Sequence, residues 1–197
     1  MRRPSSKQRR AVILILALIT FSVAYYAGHT QKLNTGTPPQ IDGVLINPPL
    51  PVPPVNLYNQ QDEPFSLSNL QGHWSLLMLD PGPGTTSSVA LTRLIQVHNR
   101  LATDPDLQQQ IHYFYLPGNK IEEKAISFAS LSDNFQALHG DKQKMDIAFT
   151  AFGGAGNETE YTLYLIGPDA TLRALFTRIN NTATIAEDIN NLIDAVQ

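Results

Sequence analysis

The residues of this chain that could do chemistry are five histidines, three pairs of acids and one hydroxyl-rich loop. The histidines are His29, His73, His98, His112 and His139, and no two have the i, i+4 spacing of a helical metal site. They read as surface or satisfied core histidines, although a fold can gather two of them from a distance. Met78 and Met145 are the methionines beyond the first residue, and Met78 falls in an apolar run, which argues against a His/Met copper site. The acid pairs Glu122/Glu123, Glu158/Glu160 and Glu187/Asp188 read as solvated faces or helix starts. The loop Asp80-Pro81-Gly82-Pro83-Gly84-Thr85-Thr86-Ser87-Ser88 leads into a helix, so its amides and hydroxyls could hold an anion. It lacks the Gly-Lys-[Ser/Thr] end of a P-loop, and no Gly-x-Ser-x-Gly elbow surrounds Ser87 or Ser88. A helix N-cap at Thr85, Thr86 or Ser87 is the simpler reading. There is no cysteine in 197 residues, which excludes disulfides, thiol nucleophiles, iron–sulfur clusters and thiolate-bound metals.

Charge is unevenly placed along the chain. Arg2, Arg3, Lys7, Arg9 and Arg10 account for five of the 14 basic residues, while all 17 acids lie further on. From position 11 the balance is 9 basic against 17 acidic residues, too few cations to neutralise many phosphates, so no nucleic-acid partner is expected. The basic segment 1–10 is followed by an uncharged run, Ala11 to Gly28. Eighteen residues at 1.5 Å each make a helix of ~27 Å, close to the thickness of a bilayer core. Tyr25 and Tyr26 stand where an interface would lie. A cleaved signal peptide has a shorter apolar region and a small-x-small site; Ala24-Tyr25-Tyr26-Ala27 fits that poorly. An uncleaved anchor over 11–28 is therefore expected. The positive-inside rule leaves the N-terminus in the cytoplasm and the acidic body across a bacterial inner membrane, in the periplasm.

The elements that position the chemistry follow from the patterning. Residues 29–50 read as a Pro-rich linker and 51–197 as the folded domain. Around a polar turn, Val55–Tyr58 and Phe65–Leu67 suggest a hairpin. The run Trp74–Leu79 reads as a buried strand, and Ala90, Leu91, Leu94, Ile95, Val97, His98 and Leu101 recur at helical spacing. Asp104-Pro105-Asp106 ends that helix, and Ile111–Leu116 has strand composition. Ile121–Leu131 is expected to be helical, Phe135–Leu138 extended and Lys142–Ala148 a short helix. Thr162–Ile166 and Leu172–Phe176 flank a Gly-Pro-Asp-Ala turn. A last amphipathic helix carries Ile185, Ile189, Leu192, Ile193 and Val196, with Thr184 and Glu187 as its capping box. Strand, helix, strand, then a hairpin and closing helix predict an α/β domain with a thioredoxin-like mixed sheet flanked by helices.

The residues Val55-x-Leu57, Phe65-Ser66-Leu67-x-x-Leu70-x-Gly72-x-Trp74-Ser75-Leu76-Leu77 and Tyr164-Leu165-Ile166-Gly167-Pro168-Asp169, after Gly43-Val44-Leu45 and a Pro-rich lead, resemble the SCO/SenC family. The resemblance runs from about Gly43 to the C-terminus. It implies a membrane-tethered thioredoxin-fold protein linked to the copper centre of cytochrome c oxidase. That family holds copper with a Cys-x-x-x-Cys and a distal His. Here those places fall on Gly84, Ser88 and Thr159, and hydroxyls with a glycine cannot stand in for two thiolates at Cu(I). The expectation is thus a non-enzymatic protein with no metal or cofactor. It would act in oxidase assembly through contact with a protein partner. The alternative is a small-molecule or metal binder built on the Pro81–Ser88 loop, or a structural relic serving an unrelated membrane complex.

Overall fold

The computed structural model describes residues 41–80, 85–118, 121, 123–130, 132–153, 161–177, 179 and 181–196, excepting the side chains of 69 and 85–88. The expected anchor over 11–28 lies outside them. Among the described residues no helix is long and apolar enough to cross a membrane.

The central strand is β4, Trp74–Asp80, which is buried at every position. A strand covered on both faces reads as a continuous apolar run rather than an alternating one, and Trp-Ser-Leu-Leu-Met-Leu is such a run. β4 lies parallel to β5 (Ile111–Pro117) and antiparallel to β7 (Thr162–Ile166). β5 pairs in parallel with β6, Phe135–Ala137. β7 turns into β8 (Thr171–Thr177), which pairs antiparallel with β1 (Val44–Pro51). The sheet order is β1-β8-β7-β4-β5-β6, and β2 (Asn56–Tyr58) with β3 (Pro64–Ser66) forms a separate hairpin.

Alternation along the strands splits the interior in two. Trp74, Leu76, Met78, Ile111, Tyr113 and Tyr115 face one side. There they meet the apolar stripes of α1 (Thr85–Leu101) and α5 (Thr182–Asp194). The other side gathers Leu77, Leu79, Phe114 and Leu116 with Leu57, Leu67 and Leu70, beneath Met145, Ala148 and Phe152 of α4 (Lys142–Ala151) and its C-cap. Each buried Leu, Met or Phe contributes about 1.5–3 kcal/mol of transfer free energy. This arrangement is the thioredoxin-like plan expected from the sequence.

Both edges of the sheet are closed. β1 carries Pro48, Pro49 and Pro51, which have no N–H to offer a further strand. On the β6 side the β2–β3 hairpin covers the edge: Gln60 Oε1 accepts from the Ala137 amide at 3.0 Å, and Tyr58 and His139 exchange backbone hydrogen bonds at 2.8 Å.

Two boundaries differ from expectation, and one short helix is additional. The compact unit begins at Ile41, not 51, because part of the Pro-rich stretch is the edge strand β1. Asp104-Pro105 starts a helix, α2 (Pro105–Gln110): the Asp104 carboxylate accepts from the Asp106 and Leu107 amides, and proline suits the first turn. The final helix is capped by Asn181, which accepts from the Ala183 and Thr184 amides, so Thr184 lies inside it.

Candidate functional site

The strands β4 and β5 end side by side, with Asp80 opposite Pro117, and the loop that could carry chemistry leaves from there. Asp80 shares a face with Leu76 and Met78 and is completely buried. Tyr115 stands opposite Met78 and reaches along the strand, so that its hydroxyl donates to Asp80 Oδ2 at 2.8 Å. The Gly118 amide donates to the Asp80 carbonyl. A carboxylate taken out of water is costly unless hydrogen-bonded, and these contacts tie the ends of the two strands together. In the sequence Asp80 reads as the first residue of a breaker-rich loop, whereas in the fold it is the last residue of β4. The missed signal was a carboxylate closing an apolar run, with a tyrosine in the next strand.

Of the three ligand places, Gly84 and Thr159 lie outside the described residues. Ser88 falls in the first turn of α1, and its side chain is outside the description. The backbone is helical from Thr85, so Thr85, Thr86 and Ser87 lie within α1 rather than before it as an N-cap. As a donor set, glycine, serine and threonine do not fit Cu(I): no thiolate, thioether or imidazole is among them.

The sheet does gather two histidines, at its opposite end. His112 sits opposite Ser75, two residues after His73 on the same face. The His73 and His112 rings stack at 4.3 Å between centroids, 11° from parallel. Burial lowers the His112 pKa, and the neighbouring His73 lowers it further. Stacked rings direct their in-plane lone pairs side by side rather than toward a common point. His98 packs edge-on against Tyr113 and Phe128 and lies 3.2 Å from the Gln108 amide nitrogen. His139 Nε2 stands 2.9 Å from the Asn59 carbonyl and 3.2 Å from Asp62 Oδ1. His29 is outside the described residues. Among those described, no three of His, Asp and Glu converge as a metal site. Met78 and Met145 are buried on opposite faces of the sheet.

The acid pairs divide. Glu123 is exposed in the first turn of α3 (Glu123–Ala129), whereas Glu122, Glu158 and Glu160 lie outside the described residues. Glu187 is exposed, but Asp188 is not a solvated acid: it is buried, and its Oδ2 accepts from the Asp42 amide at 2.8 Å. In the β7–β8 turn, burial pushes the Asp169 carboxyl up. The Thr171 hydroxyl, the Arg173 guanidinium 2.7 Å away and local amides outweigh that and hold it below the usual range.

Comparison with known proteins places this geometry. No protein-family model matches the sequence, and no curated protein matches it. Solved structures do match. Yeast Sco1 with copper bound is 16% identical, with a TM-score of 0.60 over 74% of this chain and 94% of that one. Apo Sco1 from Thermus thermophilus is 20% identical, with a TM-score of 0.60 over 80% of this chain and 99% of that one. BsSco, described as a member of the Sco family of cytochrome c oxidase assembly proteins with a disulfide switch, is 19% identical, with a TM-score of 0.56 over 79% and 96%. The likeness is one of fold.

Proposed function

We propose that this chain is a cysteine-free, divergent relative of the SCO/SenC proteins that serves cytochrome c oxidase assembly through protein contact. It is anchored by residues 11–28, faces the periplasm and carries out no redox or metal-transfer chemistry. One observation carries the reading: the fold of copper-bound Sco1 extends over nearly all of that protein's length on a sequence without a cysteine. The Asp80–Tyr115 pair is consistent with it, because a 2.8 Å hydrogen bond links the ends of β4 and β5 on a chain without cysteine. The partner is a component of the respiratory-oxidase assembly apparatus.

The test is affinity isolation of the intact chain from detergent-solubilised membranes, followed by mass spectrometry. Oxidase subunits or their assembly factors should accompany it at levels well above a tagged membrane control. Isolation of the chain with neither would refute the proposal.

A further inference from the structure

Four histidines lie among the described residues, and the fold uses them in two ways. The ring nitrogens of His98 and His139 are engaged, the first with Asn99 and Gln108, the second with the Asn59 carbonyl and Asp62. His73 and His112 differ. Among the described residues neither ring has a hydrogen-bonding partner, and each contacts the other face to face. His73 is exposed and His112 half-buried, so both can be reached from solvent.

The pair is built into the frame of the domain. β4 and β5 run in parallel with Ser75 opposite His112, and the alternation of side chains places His73 on the face of Ser75. A fixed turn delivers His73 to that position. Gly72 has a φ of 89°, which a side chain would resist, and its amide donates to the Pro168 carbonyl at 2.8 Å. Gln71 forms a bridge with Asp169 in the β7–β8 turn. On β5 the Phe114 ring lies 6.5 Å from that of His112, and Phe65 packs on Phe114 in turn.

We infer that His73 and His112 form a proton-dependent binding site for a free tetrahedral oxyanion, a dianion of the sulfate or phosphate class. Rings 4.3 Å apart and 11° from parallel point their N–H bonds side by side. A metal ion needs lone pairs that converge, whereas two parallel donors span two oxygens of one anion. Protonation makes both nitrogens of each ring donors, and charged donors form the stronger hydrogen bonds. Two imidazolium charges match a dianion.

The charged groups around the pair leave this role open. Burial and then the charge on His73 lower the His112 pKa, and no carboxylate counters them. Asp169, the acid of the adjoining turn, is held by the Thr171 hydroxyl and the Arg173 guanidinium. Phe65 and Phe114 bring no charge, and Glu63, on the turn beyond Phe65, accepts from the Asn59 side-chain amide. An anion against both rings removes their repulsion, so anion binding and proton uptake reinforce each other. The site is independent of the assembly role proposed above, since it lies at the other end of the sheet from Asp80.

Sulfate is the probe of choice, because it stays a dianion across the range in which histidine titrates, and any pH dependence then belongs to the protein. The full-length chain in detergent, isotopically labelled in its histidine rings, is titrated with sodium sulfate at constant ionic strength and followed by NMR. Binding should be about tenfold or more tighter at about pH 5 than at about pH 8, and sulfate should raise the apparent pKa of His112. His73→Gln, a change at an exposed position, should abolish both effects in a protein that remains folded. Acetate, with a single charge, should bind more weakly than sulfate. Sulfate binding that is absent at the lower pH, equal at the two pH values, or unchanged in His73→Gln overturns the inference. Acetate binding as tight as that of sulfate overturns the choice of a dianion.

Discussion

Tyr115 and Asp80 form a hydrogen bond of 2.8 Å between two fully buried side chains on neighbouring parallel strands. Tyr115→Phe removes a donor from a carboxylate that water cannot reach. It should cost about 1–3 kcal/mol in urea unfolding, and a double-mutant cycle with Asp80→Ala, which removes the acceptor, should show coupling. Additive single effects would mean the contact contributes nothing.

The stacked histidines predict a pH dependence. The His112 pKa is lowered by burial and then by His73, so the folded protein prefers the neutral ring. The unfolded chain takes up that proton first. Stability is therefore fully present above roughly pH 6.5 and falls as pH drops through the lowered value in the folded protein. His112→Gln should flatten the loss of stability between about pH 7 and 5, measured by thermal unfolding across that range. An unchanged slope would contradict this.

The cap of α5 can be tested by a pair of substitutions. Asn181→Ala removes the acceptor for two first-turn amides and should cost about 0.5–2 kcal/mol, whereas Thr184→Ala should cost much less. The reverse order, seen in urea midpoints at constant m, would favour the capping box expected from sequence.

The assignment of the ligand places predicts a gain of binding. The native protein should show no rise in melting temperature with Cu(I). Gly84→Cys, Ser88→Cys and Thr159→His together should produce a rise under reducing conditions, by mass action on the folded state. Stabilisation of the native protein by Cu(I) would contradict the reading.

The elements most legible in the sequence were those whose local pattern and burial agree. The β4 run and the β7–β8 hairpin around Gly167-Pro168 are examples, and they suffice to suggest the fold. What escaped depended on register. Asp80 looked like the start of a loop because Pro-Gly follows it, and only the alignment of β4 with β5 brings Tyr115 to it. The same alignment stacks His73 on His112, a pairing that spacing alone does not show. Residues 44–50 read as linker because proline is excluded from central strands. An edge strand tolerates it, and edge position is a property of the whole sheet. Asp188 reads as solvated in the sequence because its partner, the Asp42 amide, is distant along the chain.

The central claim is most directly tested by the amount of assembled cytochrome c oxidase in a strain lacking this gene, measured by its haem spectrum and native-gel abundance. Assembled oxidase should fall and return with the intact gene, while the redox state of periplasmic thiols stays unchanged. Normal oxidase in the deletion strain would contradict the role in assembly, and altered thiol redox state would contradict its non-redox character.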